Sequence, residues 1–217
     1  MSYATITHAN AVAAIISGGF IIPERKIMTW KRNNNEPAVW LGCQSCYVNS
    51  RLVGRWIPAE DAEDTTIDEV HRDSGIDPAA AGCEELAIFD YEHLPVSAKH
   101  QATHPTISRA HAAFYGRVAG DLDTQTWEAL CLWVESGHAS EGDDGDPVDI
   151  DAFTDVYLGH YDSFADYIEG DLEMQVGAKN VPEPYLSYFD LDSYADDMKH
   201  NHYVGDAANG GVHVFQL

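Results

Sequence analysis

The chain has 217 residues, with 36 Asp or Glu against 12 Lys or Arg, which gives a formal net charge of −24. Because nucleic acid and anionic lipid surfaces repel a polyanion, we expect the chain to bind neither of them directly. The hydrophobic fraction of 45% is ordinary and predicts a chain that can bury a core despite its charge.

The sequence carries few signs of a membrane or secreted protein. Its most apolar early stretch, Ala11–Ile22, is interrupted by Gly18 and Gly19, is too short for a membrane span, and lacks the basic region that precedes a signal peptide core. Four cysteines are too few for a disulfide scaffold of this size. We therefore expect a reduced chain in the cytoplasm.

The negative charge is concentrated toward the C-terminus. Residues 1–55 have six basic and two acidic residues, whereas residues 56–120 have four basic and 12 acidic residues. Residues 121–217 have 22 acidic residues and only two lysines, a net charge of −20. A generic acidic protein adapted to high salt would spread its acidity along the chain, and the positive first segment argues against that interpretation.

The first 36 residues are expected to form an N-terminal extension. Thr7 can cap a short helix over Ala11–Ile16, and Gly18 and Gly19 end it. The polar run Asn33–Pro37 is typical of a linker, which places the start of the next domain at residue 37.

Residues 37–93 predict a small α+β domain. Short apolar and aromatic runs over Ala38–Val48 and Leu52–Ile57 indicate a hairpin that turns near Asn49 and Ser50. Pro58 and the acids after it favour a helix that continues to about His71, and Glu85–Glu92 alternates as a strand does.

Residues 94–146 predict a helical middle domain, and residues 147–217 an acidic C-terminal α+β domain. The middle domain has helices over Ile107–Val118, capped by Thr106 or Ser108 and ended by Gly120, and over Thr124–Glu135, capped by Thr124 and ended by Gly137. The last domain has helices over about 149–158, 162–175 and 190–200, followed by a strand-like end at Gly211–Phe215. The fold class is therefore α+β, an elongated chain in which two small mixed units of sheet and helix flank a helical middle domain.

The predicted helix over 162–175 carries two different stripes. Phe164, Ile168 and Leu172 recur every four residues and define a buried face, while Asp162, Asp166, Glu169 and Glu173 form a stripe of one charge. Like charges four residues apart destabilise a helix, and no base interleaves to relieve them. We expect these and neighbouring acids to form a partner-binding surface, whose candidates are Asp149, Asp151, Asp155, Asp162, Asp166, Glu169, Asp171, Glu173, Asp190, Asp192, Asp196 and Asp197.

Two motifs resemble metal sites but lack the ligand pattern that such sites require. Cys43 and Cys46 have metal-ligand spacing, but no second pair matches them, and in one continuous strand their side chains would point to opposite faces. The acidic loop Asp143–Asp151 has no register that fits a calcium-binding loop. We therefore expect no metal, no cofactor and no catalytic residues. Aromatic residues crowd the C-terminal region as core or dimer contacts: Tyr185, Tyr188, Phe189, Tyr194 and Tyr203.

The order of these pieces resembles the antirestriction protein ArdA family. The resemblance rests on an opening hairpin with its Tyr, Asn and Trp residues, a returning strand, a turn into the last domain and a C-terminal segment: Ala38–Trp56, Glu84–Glu92, Phe153–Tyr167, and Pro184–Met198 with Val212–Phe215. It spans about residues 37–217. The 36-residue extension and the two cysteines at positions 43 and 46 depart from the family pattern.

The resemblance implies a function. ArdA-like proteins are homodimers of three-domain chains that imitate bent duplex DNA and occupy the DNA-binding groove of type I restriction-modification enzymes. They are counter-defence proteins of plasmids, transposons and phages, act in the host cytoplasm and are not enzymes. The sequence therefore predicts an antirestriction protein that blocks restriction. Inhibition of modification by the same enzymes is left open. The alternatives are a carboxylate-based enzyme or divalent-cation-binding protein, and a generic acidic soluble protein.

Overall fold

The computed structural model describes residues 36–96, 107–172 and 188–217. These ranges contain helices and two three-stranded antiparallel sheets, which confirms the α+β fold class. No helix in the described ranges is long and apolar enough to cross a bilayer. The elements in chain order are β1 (Ala38–Cys43), α1 (Gln44–Val48), β2 (Gly54–Pro58), α2 (Ile67–His71), β3 (Leu86–Glu92), α3 (Arg109–Asp121), α4 (Thr124–Ser136), α5 (Ile150–Val156), β4 (Tyr157–Tyr161), α6 (Phe164–Leu172), α7 (Leu191–Met198), β5 (His202–Asp206) and β6 (Val212–Gln216). The predicted N-terminal helix, Glu173 and Tyr185 lie outside the described residues.

The first sheet has the strand order β2-β1-β3, so the apolar β1 lies in the centre. Val39 and Leu41 are fully buried there, and Val39 pairs with Ile57 of β2. The predicted antiparallel pairing of the two strands is correct. The predicted turn between them near Asn49 and Ser50 is wrong as the direct connection, because helix α1 follows β1. The chain turns at Cys43, whose Sγ accepts the backbone N–H of Cys46 at 3.4 Å and caps the helix.

The helix predicted from Pro58 to His71 is interrupted. The first part is only a 3-10 turn at Ala59–Asp61, and α2 begins separately after Thr66. Thr66 forms a capping box with Glu69. The hydroxyl of Thr66 accepts the N–H of Glu69, and the Glu69 carboxylate accepts the N–H of Thr66. The intervening loop is held by Arg109 of α3, whose guanidinium donates to the backbone carbonyls of Ala62, Glu63 and Thr65 at 2.6–2.7 Å.

Helices α3 and α4 form where the sequence places them. Ser108 caps α3, as one of the two predicted alternatives. The predicted cap of α4 is wrong by one residue, because the carboxylate of Asp123 accepts the N–H groups of Gln125 and Thr126. Gly137 ends α4 in the left-handed region at φ 82°, where glycine has no side-chain penalty.

The second sheet has the order β4-β6-β5, and the sequence reading missed both outer strands. Alternate residues of β6 face opposite sides. On one side Phe215 stacks on Trp133 of α4 at 5.2 Å between ring centroids. On the other, Val214 packs with Phe164 and Ile168 of α6 and with Ala195 of α7. Helices therefore cover both faces of this sheet.

Helices α5 and α7 are shorter than predicted. Helix α5 is capped by Asp149 and ends at Val156, because Tyr157 already belongs to β4. Helix α7 ends at Met198 and a 3-10 turn at Lys199–Asn201 leads into β5. One buried cluster contains residues of both halves, including Leu41, Leu130, Phe153 and Phe215. The division of the chain into domains at residues 93 and 146 stays a prediction.

Candidate functional site: exposed carboxylates and a buried thiol cluster

The structure places most of the candidate acids at the surface. Eleven of the twelve lie in described residues, and Asp149 and Asp171 among them are half-buried. The nine exposed ones are Asp151, Asp155, Asp162, Asp166, Glu169, Asp190, Asp192, Asp196 and Asp197. Beyond Arg117 the sequence has only two bases, Lys179 and Lys199, to offset them. These nine residues are called the acidic surface below.

Two acids of the candidate set serve as helix caps. The carboxylate of Asp149 accepts the N–H of Ala152 at 2.9 Å at the start of α5. The carboxylate of Asp190 accepts the N–H and the hydroxyl of Ser193 at the start of α7, and these hydrogen bonds lower its pKa. Local structure therefore accounts for the position of both side chains, whatever partner they meet.

Most of the acidic surface is free of compensating contacts. Lys199 pairs with Asp196 at 2.8 Å, and Ser163 donates to Asp166 at 2.6 Å. Asp190 is the cap of α7 described above. The other six members form no ion pair or side-chain hydrogen bond within the described residues: Asp151, Asp155, Asp162, Glu169, Asp192 and Asp197. An exposed ion pair such as Asp196–Lys199 contributes little, so this surface stays strongly negative.

The predicted charge stripe is only partly helical. Helix α6 begins at Phe164, and Ser163 accepts the N–H of Asp166 at its start. Asp162 therefore precedes the helix, and within the described part of α6 the stripe consists of Asp166 and Glu169. Two members of the apolar stripe are confirmed, because Phe164 and Ile168 are buried against β6 and α7, and the side chain of Leu172 lies outside the described part.

The C-terminal aromatics fall into two groups. Tyr203 is half-buried in the core beside Trp133 and Phe215. Tyr188 is 86% exposed and Phe189 45% exposed, and Phe189 contacts Tyr194 edge to face at 5.4 Å. Tyr203 is therefore a core residue, while Tyr188 and Phe189 offer apolar surface beside the acids.

One carboxylate outside the candidate set has a shifted pKa because it caps a helix. The pKa of Asp123 is lowered by hydrogen bonds from the hydroxyl and N–H of Thr126, which favours the charged form at a helix cap. In the part of the chain that the structure describes, no carboxylate belongs to a group of three or more potential metal ligands.

The group of potential ligands that does form consists of Cys43, Cys46, His71 and Cys83, here called the thiol cluster. All four are buried, and their ligand atoms lie within 4.8 Å of one another. Cys46 Sγ is 3.7 Å from Cys83 Sγ and 3.9 Å from His71 Nε2. The chain folds this way because β1 ends at Cys43 and the turn into α1 brings Cys46 back beside it, next to the last residue of α2 and the loop before β3.

The environment of the cluster gives its three thiols different pKa values. Burial raises the pKa of Cys43, but the Cys46 N–H and hydrogen bonds with His71, Cys83 and Cys46 outweigh it and lower this pKa to about 7. Burial and the neighbouring Cys43 raise the pKa of Cys46, and burial with both neighbouring thiols raises that of Cys83 to about 12. Cys43 is therefore the thiol in the cluster that loses its proton most readily.

The sequence does not predict this cluster for two reasons. A continuous strand through Cys46 would separate the two thiols, whereas the strand ends at Cys43. The requirement for a second Cys pair also left out a mixed pair, His71 and Cys83. The signal that finds the site is the Cys-x-x-Cys spacing followed by a histidine and a third cysteine within 40 residues. Cys131 lies in α4, outside the cluster, and is half-buried.

Comparison with known proteins supplies the family. The model of the antirestriction protein (ArdA) family matches residues 39–213, from β1 to the start of β6. A search of curated proteins finds no match. Because the match extends over most of the chain, the protein belongs to the antirestriction protein (ArdA) family.

Proposed function

We propose that this protein inhibits type I restriction-modification enzymes by placing its acidic surface in the groove that otherwise binds DNA. The observation that carries the proposal is the set of nine exposed carboxylates on and beside α5, α6 and α7, six of them without a partner in the described residues, in a chain whose family is antirestriction. The carboxylates take the place of DNA phosphates. The protein acts as a competitor and not as a catalyst.

The charge is sufficient for this imitation. Duplex DNA carries one charge per roughly 1.7 Å of axis, so 24 net charges correspond to about 40 Å of duplex per chain. The partner has to present Lys and Arg side chains, and their attraction to exposed carboxylates is screened by salt. Binding is therefore expected to weaken as ionic strength rises.

The proposal includes a homodimer and a cytoplasmic site of action. Two chains together correspond to about 80 Å of duplex, a length suited to a whole restriction-enzyme groove. Tyr188 and Phe189 expose apolar surface, and aromatic residues are enriched at interfaces. The exposed aromatics support a self-interface near α7. The site of action is proposed as the cytoplasm, because the restriction enzymes act there.

A displacement assay tests the function. A type I methyltransferase is bound to a fluorescent DNA site, purified protein is added, and DNA release is followed at increasing salt. We expect stoichiometric displacement at low salt and a fall in apparent affinity at high salt. No displacement at low salt by several type I methyltransferases would refute the proposed function.

Charge-neutralising variants test the surface separately. Exposed acids of the acidic surface are replaced in one variant: Asp162→Asn, Glu169→Gln, Asp192→Asn and Asp197→Asn. The matched control removes the same charge from exposed acids near the first sheet: Asp64→Asn, Asp73→Asn, Glu84→Gln and Glu85→Gln. At about 0.5 kcal/mol per exposed contact, four changes should cost about 2 kcal/mol, or roughly 30-fold in Kd.

The two variants separate function from location. If the first variant loses affinity and the control retains it, the contact lies on the acidic surface. If both lose affinity equally, or only the control does, the protein remains an inhibitor but the contact is elsewhere. Circular dichroism of both variants checks that the fold is intact.

A further inference from the structure

We propose that Cys43, Cys46, His71 and Cys83 bind one zinc ion as a tetrahedral, closed structural site. The site lies at the end of β1 in the first sheet and shares no residue with the acidic surface. The inference is therefore independent of the proposed inhibition. Four side chains from three stretches of the chain supply three sulfur ligands and one nitrogen, the donor set typical of structural zinc.

The distances fit a tetrahedron around zinc. With Zn–S bonds of about 2.3 Å, two sulfur ligands of a tetrahedral site lie about 3.8 Å apart. Cys46 Sγ and Cys83 Sγ are 3.7 Å apart, and all the ligand atoms of the cluster lie within 4.8 Å of one another. Closing around an ion requires only small rotations of the side chains.

The imidazole of His71 is oriented as a metal ligand. Its Nδ1 lies 3.3 Å from the backbone carbonyl of Ile76 and 3.5 Å from the hydroxyl of Ser74. In the proposed zinc-bound form Nδ1 donates its hydrogen to this carbonyl, and Nε2, which lies 3.9 Å from Cys46 Sγ, binds the metal. A carbonyl that fixes the tautomer and ring orientation in this way is the usual outer partner of a metal-binding histidine.

The backbone favours a thiolate at Cys43, the first ligand. The N–H of Cys46 donates to Cys43 Sγ at 3.4 Å, an interaction that stabilises negative charge on sulfur. Zinc with three thiolates and a neutral imidazole has a net charge of −1. Arg51 follows the turn, and its N–H donates to the carbonyl of Cys46 at 2.9 Å. Its positive charge partly offsets the effect of burial, which raises the pKa of Cys46.

The position of the site suits a structural role. It joins the end of β1, the end of α2 and the loop before β3. Between β2 and β3 the regular structure is limited to a 3-10 turn and the five-residue α2. A zinc ion with four protein ligands has no open position for a substrate, so it stabilises this segment and does not catalyse a reaction.

Metal content and cobalt spectra test the site. Protein purified under reducing conditions without chelator should contain one zinc per chain by mass spectrometry of the metal. Substitution with Co²⁺ should give the visible bands of a tetrahedral ion together with thiolate charge-transfer absorption. Removing zinc with a chelator should lower the melting temperature of the wild-type protein, and adding Zn²⁺ should restore it.

Three variants locate the ligands. Cys83→Ser should reduce zinc affinity by more than the roughly 10–100-fold that loss of an outer partner costs. His71→Cys keeps four ligands, so it should retain zinc while the charge-transfer absorption of its Co²⁺ form increases. Cys131→Ser is the matched control, because this cysteine lies outside the cluster, and it should retain one zinc per chain.

Several results would overturn the site. Wild-type protein refolded with Zn²⁺ that stays far below one zinc per chain contradicts it, and so does a Co²⁺ form without thiolate charge transfer. A Cys46–Cys83 disulfide found under reducing conditions means that the cluster is a redox pair. Equal loss of zinc in Cys131→Ser and Cys83→Ser places the metal elsewhere. If Cys83→Ser does not fold, His71→Cys and the wild-type measurements still decide.

Discussion

Gly116 provides a sharp test of how helix α3 is seated. A Cβ at this position would lie only 2.2 Å from the backbone N of Glu60 and 2.7 Å from its Cα. Both partners are backbone atoms, so no side-chain rotation relieves the overlap. Gly116→Ala must therefore push α3 away from the 3-10 turn at Ala59–Asp61, where Ala59 and Ala112 are fully buried.

The expected cost follows from this overlap. Overpacking a core by a methyl group typically costs about 1–3 kcal/mol, and a backbone-to-backbone clash belongs at the upper end, about 3 kcal/mol. Gly120 is the matched control in the same helix, because a Cβ there meets no atom within 4 Å. Gly120→Ala should stabilise the protein by about 0.5–1 kcal/mol through helix propensity.

Urea unfolding, followed by circular dichroism and tryptophan fluorescence, measures both variants. The same chemical change four residues apart should give shifts of opposite sign, separated by about 3–4 kcal/mol. A Gly116→Ala variant within about 0.5 kcal/mol of wild type would refute the close approach of α3 to the turn. Whether the two probes give coincident transitions also tests the predicted division into domains at residue 93.

Two further predictions concern Asp149 and His213. Asp149→Ala should cost about 1 kcal/mol of stability whereas Asp149→Asn should not, because an amide oxygen still accepts the N–H of Ala152; urea unfolding of both distinguishes capping from charge. Burial lowers the pKa of His213 below 6.5, and the neighbouring His160 of β4 lowers it further. The carboxylate of Glu128 in α4, 3.7 Å from His213 Nε2, opposes this shift. The hydroxyl of Tyr157 in β4 lies 2.9 Å from His213 Nδ1. The unfolded chain then binds a proton more readily than the folded one, so stability should fall as the pH drops through 6.5, by at most about 1.4 kcal/mol per pH unit. His213→Gln should reduce this slope in melting experiments between pH 7 and 5, and an unchanged slope would show that other groups cause it.

Local signals predicted the elements that depend on local contacts. The caps and terminal glycines of α3 and α4 lie within a few residues of the helices that they end, so Ser108 and Gly137 were readable in the sequence. The central strand β1 was also readable, because its apolar run is buried on both sides. In each case the information lies in a short window.

The missed elements depend on distant partners. Strand β4 pairs with β6 more than 50 residues further along the chain, and a single short run such as Tyr157–Tyr161 does not reveal that partner. The same holds for the thiol cluster, in which Cys46 and Cys83 come together from positions 37 residues apart. Exposure of the acids, by contrast, follows from their charge, since carboxylates are rarely buried without partners.

The way the acids are mounted bears on how a protein can imitate a polyanion. Like charges on the acidic surface repel one another, and this repulsion opposes compact structure. The elements that carry them are held by apolar contacts on their other side, where Ile168 of α6 and Ala195 of α7 pack on Val214 of β6. The Asp190 carboxylate, which accepts from Ser193, fixes the start of α7. In the proposed complex, elements that are already held in place would lose little conformational entropy on binding, and a cationic groove would relieve the repulsion between the carboxylates.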